Sequence, residues 1–287
     1  MATENITVAK DLVAQSIDFT EQFTGSIATL LRVMGVTRMQ PMAVGSQIKI
    51  YKSEVTKADG NVAEGEIIPL SKVTRKLADT KELGYKKYRK QTTAEAIQSS
   101  GFDAAVSDTD SKLLRSIQGD IKKNFFDFVQ TGTTKTSGDT FQKAIAQALG
   151  QLAIKWEDDD IQSVLFANPI DFYTYLGDSQ ISTQTAFGLT YIQNYLGFNT
   201  IILSGAVKQG TVAVTAADNL NYAYASVNGN LGRAFNFVTD ETGLIGVTHN
   251  PVNDSASYQT MVMTSGVLFP ERLDGIVVAT IGATPSK

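Results

Sequence analysis

Residues Ser46 to Thr92 constrain this chain more than any other segment: they alternate like β-strands but lack the apolar content of a self-sufficient sheet. From Gln47 to Val55, Ile48, Ile50 and Val55 are apolar while Lys49, Lys52 and Glu54 are charged, a strand period. Ala58-Asp59-Gly60-Asn61 is a turn signal. Val62 to Pro69 follows, then a strand-like stretch from Ser71 to Gln91. The whole reads as one long two-stranded excursion with many Lys and Arg on its faces and few large apolar residues. An isolated hairpin is marginal in water. This one needs another surface to lie on, and a neighbouring copy of the chain is the expected one.

The charge distribution points the same way. Ser46 to Thr92 hold eleven Lys or Arg and six Asp or Glu, a balance of +5, against −9 for the remainder and −4 overall. A basic segment on an acidic body predicts contact between copies. Lys86-Lys87-Tyr88-Arg89-Lys90 also has the make-up of a nucleic-acid contact, because cations neutralise phosphates and aromatics stack on bases. Docking on an acidic protein surface is the preferred reading.

Function classes fall away by inventory. The chain has no cysteine, so disulfides, thiolate metal sites and cysteine nucleophiles are excluded. Its single histidine, His249, excludes zinc sites built on several histidines. His249 lies in Val247-Thr248-His249-Asn250-Pro251 and reads as a polar residue at a strand edge beside a turn, with no catalytic partner identifiable. Glu157-Asp158-Asp159-Asp160 lacks the spaced ligands and central glycine of a calcium loop and reads as solvated. Thr131 to Gly138 lacks the order of a phosphate-binding loop and reads as a flexible joint at the main domain transition. No catalytic, cofactor-binding or metal residue is singled out. Carboxylates are plentiful, which leaves a carboxylate-dependent α/β enzyme as a competing class. No apolar run reaches bilayer length, and Met1-Ala2-Thr3-Glu4-Asn5 does not begin a secretory signal, so neither a membrane nor export is expected.

At 287 residues the chain is long enough for two domains or one elaborated domain. Residues 1–20 read as an arm. Phe19, Phe23, Ile27, Leu30 and Leu31 recur at helical spacing, and Gly35 ends the run. Asp108, a candidate N-cap, opens a longer helix. Its apolar stripe is Leu113, Leu114, Ile117, Ile121, Phe125 and Phe128, and its length is roughly 33 Å. Asp139 to Lys155 is a second amphipathic helix, with Phe141, Ile145, Leu149 and Leu152 inward. Ile161 to Ala167 is a buried-strand pattern, and Pro169 fits the first turn of a further helix. Thr200 to Leu203 and Thr211 to Thr215 are strand signals, and Tyr258 to Phe269 and Ile276 to Ile281 read as two long strands.

Ala63-Glu64-Gly65-Glu66-Ile67-Ile68-Pro69-Leu70-Ser71 resembles the acidic-Gly-x-x-x-Pro-x-Ser signature of tailed-phage major capsid proteins. Thr92-Thr93-Ala94-Glu95-Ala96-Ile97 is similar to the family's lead-in to its central domain, Asp108 to Gln130 to its spine helix, and Ser265-Gly266-Val267-Leu268-Phe269-Pro270-Glu271 to the ending of several members. The resemblance implies an α+β chain with the Hong Kong phage-type capsid fold. Its parts would be an arm (1–20), a first peripheral segment (21–45), an extended loop (46–92), a peripheral domain with the spine helix (93–135), an axial domain (136–249) and returning peripheral strands (250–287). It also implies a virion protein, assembled in the host cytoplasm, whose pentamers and hexamers form an icosahedral shell around double-stranded DNA. Implied partners are copies of itself, a separate scaffolding protein, a portal protein and DNA contacted non-specifically. Glu64, Gly65, Pro69, Arg75, Lys76, Lys86, Lys87, Arg89 and Lys90 of the extended loop would make intersubunit contacts. Leu113, Ile117, Ile121 and Phe125 would form the core face of the spine helix. An encapsulin-like bacterial compartment shares the fold and would package an enzyme instead of DNA.

Overall fold

A computed structural model describes residues 25–63, 65–157, 160–177, 182–186, 189–239 and 241–282. The expected arm, with Phe19 and Phe23, lies outside them. In chain order the first elements are α1 (25–33), β1 (Val36–Pro41), β2 (Gln47–Thr56), β3 (Lys72–Glu82), β4 (Tyr85–Thr93) and α2 (Ala94–Ser100). Next come α3 (Asp108–Gln130), β5 (Thr134–Gly138), α4 (Phe141–Lys155), β6 (Ser163–Ala167), α5 (Pro169–Leu176) and β7 (Gln184–Ala186). Then follow β8 (Leu189–Tyr195), β9 (Phe198–Leu203), β10 (Thr211–Ala216), β11 (Leu220–Tyr224) and α6 (Asn230–Phe235). The last are β12 (Val238–Thr239), β13 (Ile245–Val252), β14 (Ser257–Ser265), β15 (Val267–Pro270) and β16 (Ile276–Ile281). Among the described residues no helix is long and apolar enough to cross a membrane.

The body is organised by a seven-stranded mixed sheet in the order β5-β16-β10-β6-β9-β8-β7. Every residue of β6 is buried, as the continuous apolar run predicts for a strand covered on both faces. Period-two alternation divides it between two cores. Val164 and Phe166 face a core shared with α1 and α3, whereas Leu165 and Ala167 face a core shared with α4 and α5. Phe166 meets Phe125 and Phe126 of α3 edge-on, with ring centroids at 5.5 and 6.1 Å. On the other side α4 buries Phe141, Ile145 and Leu152 and keeps Leu149 half-buried, as its stripe predicts. Thr140 caps α4 and Asn168 caps α5, whose first residue is Pro169.

The spine helix departs from expectation at its start. Asp108 is not a cap, because the helical chain runs back through a wider turn at Asp103–Ser107. Thr109 and Ser111 hydroxyls donate to carbonyls of that turn. Leu114, Ile117, Phe125, Phe126 and Val129 are buried, and Leu113, Ile121 and Phe128 are half-buried. The burial expected for Ile121 is therefore corrected: by helical angle it lies between buried Ile117 and buried Leu114, yet a surface cleft opens beside it.

Three further expectations are revised by pairings distant in sequence. Thr131 to Gly138 is not a flexible joint, because Thr134 to Gly138 form β5, in parallel register with β16. A Cβ on Gly138 would come within 2.3 Å of the Ala144 nitrogen, so this strand approaches α4 closely. Ile276 to Ile281, expected among the returning peripheral strands, lie inside the seven-stranded sheet between β5 and β10. The strand read from Tyr258 to Phe269 divides at Gly266, where a Cβ would meet the Tyr222 hydroxyl at 1.7 Å. Before that point β14 pairs with β13 and β4; after it β15 pairs with β11.

A partly buried ionic cluster joins the spine helix to the four-stranded sheet β12-β13-β14-β4. One Asp110 oxygen lies 2.6 Å from Lys90 Nζ of β4 and the other 2.8 Å from His249 Nε2 of β13. Lys90 also donates to the Val106 carbonyl at 3.0 Å and to the Thr109 hydroxyl. His249 stacks on Tyr258, with centroids 5.8 Å apart. The unpartnered histidine expected beside a turn is thus a paired residue inside a strand. Burial by itself would raise the Asp110 pKa, but donors on His249, Lys90 and Thr260 together outweigh it and hold the carboxyl below the usual carboxylate range.

Two expected outcomes follow from these contacts. Phe125→Ala should cost about 3–5 kcal/mol in denaturant unfolding, and Ile121→Ala clearly less, because its site is only half-covered. Equal losses would mean that the cleft beside Ile121 is closed in solution. Asp110→Asn should cost about 3 kcal/mol at neutral pH, the low end for a broken buried pair. Since the Asp110 pKa is lowered on folding, its stabilisation is present above the unfolded value of about 3.9 and is lost as pH falls below it toward the folded value. The gap between wild type and variant should therefore narrow below about pH 4, and a gap unchanged at pH 3 would contradict the assignment.

Candidate assembly surface

The hairpin is built by β2 and β3, ten and eleven residues long, paired antiparallel from Gln47↔Glu82 to Thr56↔Lys72. Its base is fixed by Leu83, which is fully buried, with the Leu83 amide donating to the Ser46 carbonyl and the Gly45 amide to the Leu83 carbonyl. Beyond the base only Ile50 is buried among the described residues, and a bulge follows at Ile50/Tyr51. Past the bulge, Tyr51 pairs with Leu77 and Val55 with Val73. Directly opposed residues share a face, so these four form an apolar strip interrupted at its middle by the Ser53–Arg75 pair, and all four are exposed. The opposite face carries Lys52 beside Lys76 and Glu54 beside Thr74, with Lys76 Nζ 2.8 Å from the Glu54 carboxylate. The Glu54 carboxyl is shifted down by that bond and by the lysine's charge.

Residues 57–71 form the tip. The Asn61 amide donates to the Asp59 carboxylate across the expected turn, and the Ala58 amide to the Ser71 hydroxyl. Past Gly65, whose φ is +85°, Ile67 and Leu70 are each 94% exposed and Ile68 is 74% exposed. Seven of the twelve exposed large apolar side chains among the described residues belong to this hairpin and its tip. The expectation of few large apolar residues is corrected here: they are present, placed where the subunit cannot cover them.

The residues singled out in the sequence separate into two groups. Gly65, Pro69, Arg75 and Lys76 lie on the tip or the hairpin and are exposed, while Glu64 lies outside the described residues. Lys86, Lys87, Arg89 and Lys90 are not on the hairpin. The run expected from Ser71 to Gln91 breaks at Leu83-Gly84, and its second part, β4, pairs with β14 in the body. Lys86, Lys87 and Arg89 are exposed along this strand, whereas Lys90 turns inward to Asp110. Sequence reasoning missed the strip of Tyr51, Val55, Val73 and Leu77; their spacing of four on each strand was the available signal. Asp158 and Asp159 of the acidic run lie outside the described residues. Among the described residues no group of three metal-ligating side chains comes together.

No protein-family model and no curated protein matches the sequence. Solved structures do match. A chain of Mycobacterium phage Che8 is 14% identical with a TM-score of 0.56, covering 82% of this chain and 84% of that one. The asymmetric unit of the bacteriophage PhiM1 mature capsid is 9% identical with a TM-score of 0.54, covering 86% of each. The holo-SrpI encapsulin complex from Synechococcus elongatus PCC 7942 is 11% identical with a TM-score of 0.55, covering 87% of this chain and 86% of that one. Likeness at such low identity speaks to architecture, and with the hairpin, spine helix and strand order described above it establishes this protein as an α+β chain with the Hong Kong phage-type capsid fold.

Proposed function

We propose that this chain is a structural shell protein, the major capsid protein of a tailed phage. Its copies associate as pentamers and hexamers and close into an icosahedral shell around double-stranded DNA. The observation that carries the reading is the hairpin: a two-stranded projection with an apolar strip and an apolar tip that its own subunit leaves bare. Monomeric soluble proteins rarely leave large contiguous apolar patches bare. Burying one large aliphatic side chain contributes roughly 1.5–3 kcal/mol. An exposed ion pair contributes about 0–1 kcal/mol. Apolar contact therefore supplies most of the association energy, and the basic residues guide approach and register. A scaffolding protein, a portal and packaged DNA are the further partners of this reading, and the virion is its place.

The likeness to the SrpI encapsulin supports a second reading, a compartment that packages a cargo enzyme. Contents separate the two. Negative-stain microscopy of purified protein should show closed shells of uniform size, and a monomer at all concentrations would overturn both readings. Nuclease-protected DNA inside native particles supports the capsid; a co-purifying enzyme supports the compartment.

Replacing Lys57–Ser71 by an Asn-Gly turn, which suits a two-residue hairpin, should leave a soluble subunit with unchanged far-ultraviolet dichroism and no shells. Normal shells from that variant would sink the role given to the tip. Moderate sodium chloride should slow assembly, followed by light scattering, because charge pairs are screened over about 8 Å at physiological ionic strength. Sulfate should promote it, because salting-out salts strengthen apolar burial. Inhibition by both salts alike would mean that charge, and not the apolar strip, dominates the contact.

A further inference from the structure

Outside residues 46–92 the chain carries 14 Lys or Arg against 23 Asp or Glu, yet six of those cations gather along one side of the spine helix. At about 100° per residue, Lys112, Arg115, Lys122 and Lys123 fall within an arc of about 100°, and Ile121 with its cleft lies on the other side of the helix. Lys112, Arg115 and Lys123 are exposed and Lys122 is half-buried. Gln130 lies in the same arc and brings two more cations to the end of the helix. Its side-chain oxygen accepts from the Lys208 amide at 2.9 Å, and its backbone carbonyl accepts from Lys135 Nζ at 3.4 Å. Both lysines are exposed. From Lys112 to Gln130 the stripe runs about 27 Å. Carboxylates along it are few: Asp127 is paired with Lys123 at 2.7 Å, Asp120 lies at the margin, and Asp108 precedes the stripe at the helix start.

Gly119 is a second, independent observation. It sits in mid-helix within the same arc, is exposed, and lines a groove of about 370 Å³ together with Lys122, Lys123 and Thr190. A Cβ built at Gly119 meets nothing within 4 Å, so no packing inside the subunit requires glycine there. Glycine is among the weakest helix formers, and at a bare interior position it weakens the helix. Close approach of a partner to the helix backbone accounts for it.

We propose that this stripe lies against the phosphate backbone of double-stranded DNA inside the shell. The proposal rests on the capsid reading and names the surface that meets the packaged nucleic acid. Duplex DNA carries one charge per roughly 1.7 Å of its axis, a dense partner for cations set along a helix edge. No exposed residue of the stripe is aromatic, so unpaired bases have nothing to stack on, which favours duplex over single strand. Contacts to phosphate position a duplex without reading its sequence, which suits a container for any sequence. The basic run of β4 does have an aromatic residue, Tyr88, but it packs against the core.

The test is DNA binding by the full chain, kept below the concentration at which light scattering detects particles. Fluorescence anisotropy follows a labelled duplex of about 30 base pairs, longer than the stripe at roughly 3.4 Å per step, from about 50 to 200 mM sodium chloride. Affinity should fall steeply with salt, with a slope of about 0.9 per phosphate neutralised. Lys112→Gln, Arg115→Gln and Lys123→Gln together should lower that slope by about 3, roughly one for each cation lost, with helicity kept because glutamine is a good helix former. Gly119→Gln should weaken binding several-fold without lowering the thermal midpoint. Lys87→Gln with Arg89→Gln on β4 should leave affinity and slope unchanged. No duplex binding by the wild type, an unchanged slope in the triple variant, or loss of binding only through β4 would overturn the inference. So would polyglutamate that competes as well as duplex at equal charge, which would assign the stripe to an acidic protein. None of these outcomes touches the shell reading, which fails if the unmodified chain forms no particles.

Discussion

Phe166 sits at the centre of this protein's architecture. It projects from a strand buried on both faces and packs edge-on against Phe125 and Phe126 of the spine helix. That contact joins the long helix to one face of the seven-stranded sheet, while Leu165 and Ala167, its neighbours in sequence, serve the opposite face under α4 and α5. The two cores thus share one strand. Neither core includes a residue of β2 or β3, so the hairpin is free to carry a different task.

The attachment of that hairpin is local and mechanical. Leu83 plugs its base into the body, and the chain continues directly into β4, whose Lys90 reaches the spine helix through Asp110. Removing charges from water is costly unless geometry and hydrogen bonds offset it. Here one carboxylate serves a lysine and a histidine from two different strands, and the Val106 carbonyl and Thr109 hydroxyl take further lysine protons. The cluster ties together the helix start, β4 and β13.

Charge and apolarity divide the proposed assembly surface between them. The basic balance of residues 46–92 is real, but part of it lies on β4 within the body, and Lys90 is consumed by an internal pair. The hairpin proper combines an apolar strip with a charged reverse face, and its tip is the most exposed apolar segment of the described chain. In the proposed assembly such a projection would gain most of its energy by covering aliphatic surface and much of its selectivity from the charges around it.

The sequence by itself determined the local elements whose cause is local. The stripe of Leu114, Ile117 and Phe125 marks the spine helix, Pro169 after a capping Asn168 marks α5, and the unbroken apolar run of β6 marks a strand covered twice. It also carried the extended segment that cannot satisfy itself, and motifs resembling a family whose fold the structure shows. Only the tertiary structure decided how distant strands pair. Thr134 to Gly138 looks like a linker until β16, more than a hundred residues later, lies beside it, and Tyr85 to Thr93 looks like hairpin until β14 claims it. Strand pairing is a choice of partner and register, and nothing within a strand of this length names its partner. The same reason hid the pairing of His249 with Asp110, separated by 139 residues, and the half-bare state of Ile121, which depends on what the rest of the chain leaves uncovered.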